Sequence, residues 1–117
     1  MVYDSRTRGQ SIITPAFNLS AKYVIHTVCP RYRDGQRGES EQLYNTYASA
    51  LGLKRRVPDA NSIAFFSMGT GIYKWPMGLA ADIAAKALLT STFYDTLMCV
   101  LDEKTRLTYQ AALDRYL

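Results

Sequence analysis

Ser67-Met68-Gly69-Thr70-Gly71-Ile72-Tyr73-Lys74-Trp75-Pro76 follows the apolar run Ile63-Ala64-Phe65-Phe66 and precedes a long helical pattern. Strand, glycine-rich loop and helix therefore come in sequence. Backbone amides in such a loop are free to point at an anion. The helix start behind it adds a positive partial charge. The stretch reads as a phosphate-facing loop, with a plain strand-to-helix connection as the simpler alternative.

Working outward, Met77 to Thr90 carries Leu79, Ile83 and Ala87 on one stripe and Ala80, Ala84 and Leu88 on the next, which predicts a helix. Pro76 suits its beginning. Upstream, Ser62 to Ser67 is almost continuously apolar, the pattern of a strand buried on both faces. Downstream, Thr96-Leu97-Met98-Cys99-Val100-Leu101 predicts another buried strand. Asp102 and Glu103 suit the start of a last helix whose buried face is Tyr109, Ala112, Leu113 and Tyr116. Glu39 to Leu51 repeats apolar residues at Leu43, Tyr47, Ala50 and Leu51, with Glu39 and Glu41 at the positive end and Gly52 as a stop. Ser11-Ile12-Ile13-Thr14, ended by Pro15, predicts an edge strand, and Lys22 to Cys29 a stronger one ended by Pro30. The order β, β, α, β, α, β, α is that of an α/β domain, with the loop at 67–73 beyond the carboxyl end of a strand.

The 117 residues suffice for one domain. Hydrophobic residues are 48% and charged ones 21%, the balance of a globular chain. Net charge is +4 and the pI about 9.2, which favours an anionic partner without naming one. Arg31, Arg33, Arg37 and Lys54-Arg55-Arg56 read as solvated loops, because no aromatic residues interleave to stack on bases, so a nucleic-acid partner is not expected. No apolar run nears the roughly 18 residues that cross a membrane, and the first residues lack a signal-peptide core. The expected location is cytoplasmic. Cys29 and Cys99 read as buried free thiols. One histidine and two isolated cysteines offer no metal spacing, so neither metal nor cofactor is expected. His26 reads as a strand residue with a satisfied hydrogen bond, and no catalytic partner can be named for it. Asp102 is explained by capping. Trp75 either flanks a pocket or covers the helix start.

From Ser11 onward the chain resembles the macrodomain family of ADP-ribose-binding modules. The residues that carry the resemblance are Ile13-Thr14-Pro15-Ala16-Phe17-Asn18-Leu19 running into Ile25-His26-Thr27-Val28 and Pro30-Arg31-Tyr32, then Leu43, Tyr47 and Leu51. Ile63-Ala64-Phe65, Thr70-Gly71-Ile72-Tyr73 with Pro76, and Val100-Leu101-Asp102 with Tyr109 complete it. The resemblance implies a three-layer α/β/α mixed sheet, truncated at its N-terminus. Residues 1–10 form an extension and 11–117 a partial domain. It implies that Gly69, Thr70, Gly71 and Ile72 supply amides to the diphosphate of ADP-ribose and that Tyr73 walls the distal ribose. Gly69 stands where the family often has serine or alanine, which loosens the loop.

The family's early strands are not seen here, including the acidic residue for adenine, the N-A-A-N-type strand and the glycine-rich loop after it. By family topology that strand lies between the strands at 62–67 and 22–28. Its loss leaves two central edges open. They are repaired by direct closure, by a second subunit, or by a missing half of a longer protein, and a homodimer is the preferred expectation. Three functions follow. The first is a module binding ADP-ribose, a related nucleotide diphosphate or an ADP-ribosylated protein. The second is a ligand-free, structural or dimerising remnant. The third is an ADP-ribosyl hydrolase or ADP-ribose-1''-phosphate phosphatase, whose usual catalytic elements are not seen.

Overall fold

The computed structural model describes residues 11–15, 23–27, 29–66, 75–100 and 102–117. Strand β1 (Ser11–Pro15) pairs antiparallel with β2 (Tyr23–Thr27), Ser11 opposite Thr27 and Pro15 opposite Tyr23. Pro15 is the last residue of β1, where the N–H it lacks is least missed. Strand β3 (Ser62–Phe66) pairs in parallel with β4 (Asp95–Cys99), Ile63 opposite Thr96 and Phe65 opposite Met98. These are two separate two-stranded sheets among the described residues. The result is a mixed α/β fold with helices flanking a small parallel sheet, in the expected element order.

Helix α1 spans Glu39–Leu51, the predicted range. Its predicted stripe of Leu43, Tyr47, Ala50 and Leu51 is buried. The Tyr47 ring meets Phe65 of β3 edge-on at 5.3 Å. That contact fixes α1 on the sheet, and burying each large side chain contributes about 1.5–3 kcal/mol. Gly52 ends α1 without a left-handed turn, and the chain tightens into a 3-10 helix, Gly52–Arg56. The run Lys54-Arg55-Arg56 is not uniformly solvated. Lys54 Nζ donates to the carbonyls of Pro58 and Ala60 and lies 5.4 Å from the Phe93 ring centre.

Helix α2 (Met77–Leu88) buries Ala80, Ala81, Ile83, Ala84, Ala85 and Ala87, a wider arc than the two predicted stripes. The reason is that α2 packs between α1 and α3 (Glu103–Tyr116), and its alanines share one core cluster with Ile63 and Phe65 of β3. Alanines on several sides let both neighbours approach. Asp82, at the contact of α2 with α3, accepts from the Tyr116 hydroxyl at 2.6 Å and pairs with Arg115 at 3.3 Å. The Tyr116 bond, partly opposed by desolvation and helped by Arg115 and Lys86, holds the Asp82 carboxyl below its ordinary value. Tyr116 is thus 40% exposed, not buried as the periodicity predicts, because its hydroxyl reaches Asp82. Asp102 caps α3, accepting from the Thr105 N–H at 2.8 Å.

Three further expectations are corrected. Strand β4 is not buried on both faces. Thr96 and Met98 are half-buried, whereas Asp95, Leu97 and Cys99 are exposed. On β3, Ile63 and Phe65 are buried and Ala64 is exposed, so the helices cover one face of this pair. Neither cysteine is in a disulfide, as expected, but Cys29 is half-buried and Cys99 exposed. Cys99 shares the open face with Leu97.

The loop before α1 is organised by one carboxylate. Glu39 is buried, and its Oε2 accepts from the backbone N–H groups of Arg33 (2.6 Å), Asp34 (3.1 Å) and Gly35 (3.3 Å), while Oε1 accepts from Arg37 (2.8 Å). Desolvation opposes ionisation, but the four N–H bonds outweigh it and pull the group from 4.5 to about 2. A carboxyl held down in the fold stabilises it fully above its unfolded value. That stabilisation drains as pH falls from about 4.5 toward 2. Urea unfolding across this window is expected to show a shallower loss of stability with acid in Glu39→Gln than in the native chain, and lower stability of the variant at pH 7.

Candidate functional site

Gly69, Thr70, Gly71, Ile72 and Tyr73 fall within residues 67–74, outside the described residues. What is described is the frame that holds both ends of that segment. It leaves the carboxyl end of β3 at Phe66 and returns at Trp75-Pro76, directly before α2. A loop at the carboxyl end of a parallel strand and ahead of a helix is where open α/β sheets receive ligands.

The electrostatics of the three helix starts differ. α1 carries Glu39 and Glu41 in its first turn, and α3 has Asp102 as cap and Glu103 behind it. α2 has no acidic residue in its first turn and no side-chain cap. Its positive end is left uncompensated by its own sequence, and the segment that contains the glycines precedes it in the chain.

The return point is fixed firmly. Trp75 is only 3% exposed, and its Nε1–H donates to the Pro30 carbonyl oxygen at 2.9 Å. The thiol of Cys29 also donates toward that oxygen, at 3.5 Å. The Tyr32 ring packs against the indole with centroids 5.1 Å apart. Trp75 ties the helix start to the chain leaving β2, a role that neither sequence reading of this residue named. Sequence reasoning gave Tyr32 and Pro30 no such part. Their signal was the spacing Pro30-x-Tyr32, which carried only family resemblance.

The other candidates sort as follows. Asp102 acts as the cap already described, its carboxyl held low by the Thr105 N–H and hydroxyl against some desolvation. The side chain of His26 lies outside the described residues. Tyr109 is buried, and its hydroxyl has no hydrogen-bond partner among the described residues. Desolvation, with Cys29 nearby, pushes it up to about 12. Among the described residues no group of three His, Cys, Asp or Glu side chains is placed to hold a metal ion. No described helix is long and apolar enough to cross a membrane.

Replacing Trp75 by Phe keeps an aromatic filler and removes the indole donor. The expected cost is about 1 kcal/mol, the typical net worth of a hydrogen bond. Urea unfolding followed by circular dichroism measures it, and equal stability of the two chains would contradict the anchor.

The Macro domain family model matches residues 3–84. An uncharacterised protein of Fusobacterium nucleatum is 38% identical over 107 residues, 87% of this chain and 61% of that protein. An O-acetyl-ADP-ribose deacetylase of Salmonella gallinarum is 44% identical over 80 residues, 68% of this chain and 44% of that protein. Among solved structures, the Oceanobacillus iheyensis macrodomain with ADP superposes with a TM-score of 0.85 at 31% identity, covering 94% of this chain and 60% of that one. The chain thus spans less than two thirds of the length of these relatives. With a family match over most of its residues, the chain belongs to the Macro domain family.

Proposed function

We propose that the chain is a module that binds ADP-ribose or a related nucleotide diphosphate, free or carried on a protein, through Gly69, Thr70, Gly71, Ile72 and Tyr73. The observation that carries the proposal is the likeness to a macrodomain with ADP over 94% of the chain, together with a glycine-bearing segment pinned between β3 and the uncompensated start of α2. Backbone N–H groups of the loop bind the phosphates, and the two glycines leave room for close approach. Tyr73 closes the ribose side. Because the relatives are longer, the proposal concerns binding rather than turnover, and residues 11–117 as the binding unit.

Isothermal titration with ADP-ribose tests it. Heat of binding is expected for the native chain and is expected to vanish in Gly71→Glu, whose carboxylate would occupy the phosphate position and repel it. A folded native sample that gives a flat titration would falsify the proposal and favour a ligand-free remnant.

The proposal includes a homodimer. The open face of β3–β4 presents Ala64, Leu97 (56% exposed) and Cys99, and Tyr94 just before β4 is 88% exposed. Apolar strand surface of this kind favours association with another chain, and closed two-fold pairs are the commonest outcome for like chains. Sedimentation is expected to give twice the 13.2 kDa chain mass for the native protein and one chain mass for Leu97→Lys. A native monomer removes the dimer from the proposal without touching ligand binding.

A further inference from the structure

Cys29, just beyond β2, and Tyr109, in the middle of α3, meet at the core. Cys29 is half-buried and packs against the cluster that holds Trp75 and Tyr109. Tyr109 is 6% exposed, and its hydroxyl has no hydrogen-bond partner among the described residues. A buried hydroxyl without a partner is costly, and a phenylalanine would fill the same space without that cost. The sequence nevertheless keeps the hydroxyl, and Cys29 is close enough for its charge to act on it. Burial and that charge push the hydroxyl up to about 12, so at neutral pH it keeps its proton and stays a donor.

We propose that Cys29 is a peroxide-sensitive thiol, and that the Tyr109 hydroxyl donates to its thiolate and then to the oxygen the sulfur acquires. Thiolates attack peroxide, and they are favoured by partial exposure, a hydrogen-bond donor and nearby positive charge. Tyr109 is the donor. The thiol is also tied to the start of α2. Its sulfur lies 3.5 Å from the Pro30 carbonyl oxygen, which accepts from Trp75 Nε1 at 2.9 Å, and α2 has no acidic residue in its first turn.

The step is a two-electron oxidation. The sulfur attacks one oxygen of hydrogen peroxide, and an S–O bond forms as the O–O bond breaks. The departing hydroxide takes up the thiol proton as water, so sulfur is oxidised and peroxide reduced. The product is a sulfenic acid at Cys29, and its new oxygen is an acceptor for Tyr109. The S–H donor to Pro30 is lost, while the Trp75 bond to that carbonyl remains. Both groups lie apart from residues 67–73, and the oxidation needs no bound ligand.

The test uses the Cys99→Ser chain, in which Cys29 is the only thiol. Treated with hydrogen peroxide and dimedone, which traps sulfenic acids, it is expected to gain one dimedone adduct at Cys29, located by peptide mass spectrometry. The folded chain is expected to react about tenfold faster than the same chain in urea, where donor and helix start are both lost. Tyr109→Phe in this background is expected to form the adduct about tenfold more slowly, the order of one hydrogen bond to a charged group. A purely structural hydroxyl would instead change the unfolding midpoint and leave the rate alone. A folded chain that gains no adduct, or gains it no faster than in urea, overturns the proposal, and this comparison stands even if Tyr109→Phe does not fold. A folded Tyr109→Phe chain that reacts as fast as its parent overturns it as well.

Discussion

The hydrogen bond from the Trp75 indole to the Pro30 carbonyl is the constraint that fixes where the chain enters α2. β1–β2 and β3–β4 are not hydrogen-bonded to each other among the described residues. The chain leaving β2 and the chain entering α2 are nevertheless joined at a buried tryptophan. A buried carbonyl left without a donor costs more than the bond itself is worth. Pro30 O, accepting from both Trp75 and Cys29, is therefore an expensive point to disturb.

Around this point the packing has a clear division. α1 is fixed on the inner face of β3 by Leu43 and Tyr47 against Ile63 and Phe65. α2 is flanked by α1 and α3, and its alanines allow it. The opposite face of β3–β4 stays open, with Leu97 and Cys99 in solvent. The same sequence thus builds one well-filled side and leaves the other exposed.

Much of the fold was legible from periodicity. The range Glu39–Leu51 and its buried stripe came directly from spacing, as did the start of α2 at Met77 and the cap at Asp102. What was not legible depended on partners far away in sequence. The apolar run at 96–101 looks buried on both faces because periodicity cannot tell whether a second layer covers a strand. Tyr116 falls on the predicted stripe, yet a carboxylate 34 residues away draws its hydroxyl outward. Glu39 looked like an ordinary acidic residue at a helix start. Its four bonds to the preceding loop follow from Gly35 and Gly38 both adopting positive φ, which composition indicates only as a loop. The candidate segment was legible as a glycine-rich run between a strand and a helix. The residues that anchor Trp75 at its end, Pro30 and Tyr32, were not, because they come from a different strand's end.

The central claim is the proposal that the amides at 69–72 receive a diphosphate and that Tyr73 walls the distal ribose. Amide chemical shifts of the ¹⁵N-labelled chain, recorded with and without ADP-ribose, test it at the residues concerned. The account predicts concentration-dependent shifts at Gly69, Thr70, Gly71, Ile72 and Tyr73, with the Trp75 indole signal moving alongside them. A folded chain whose spectrum stays unchanged at high ADP-ribose, or shifts only at residues remote from this segment, would contradict it.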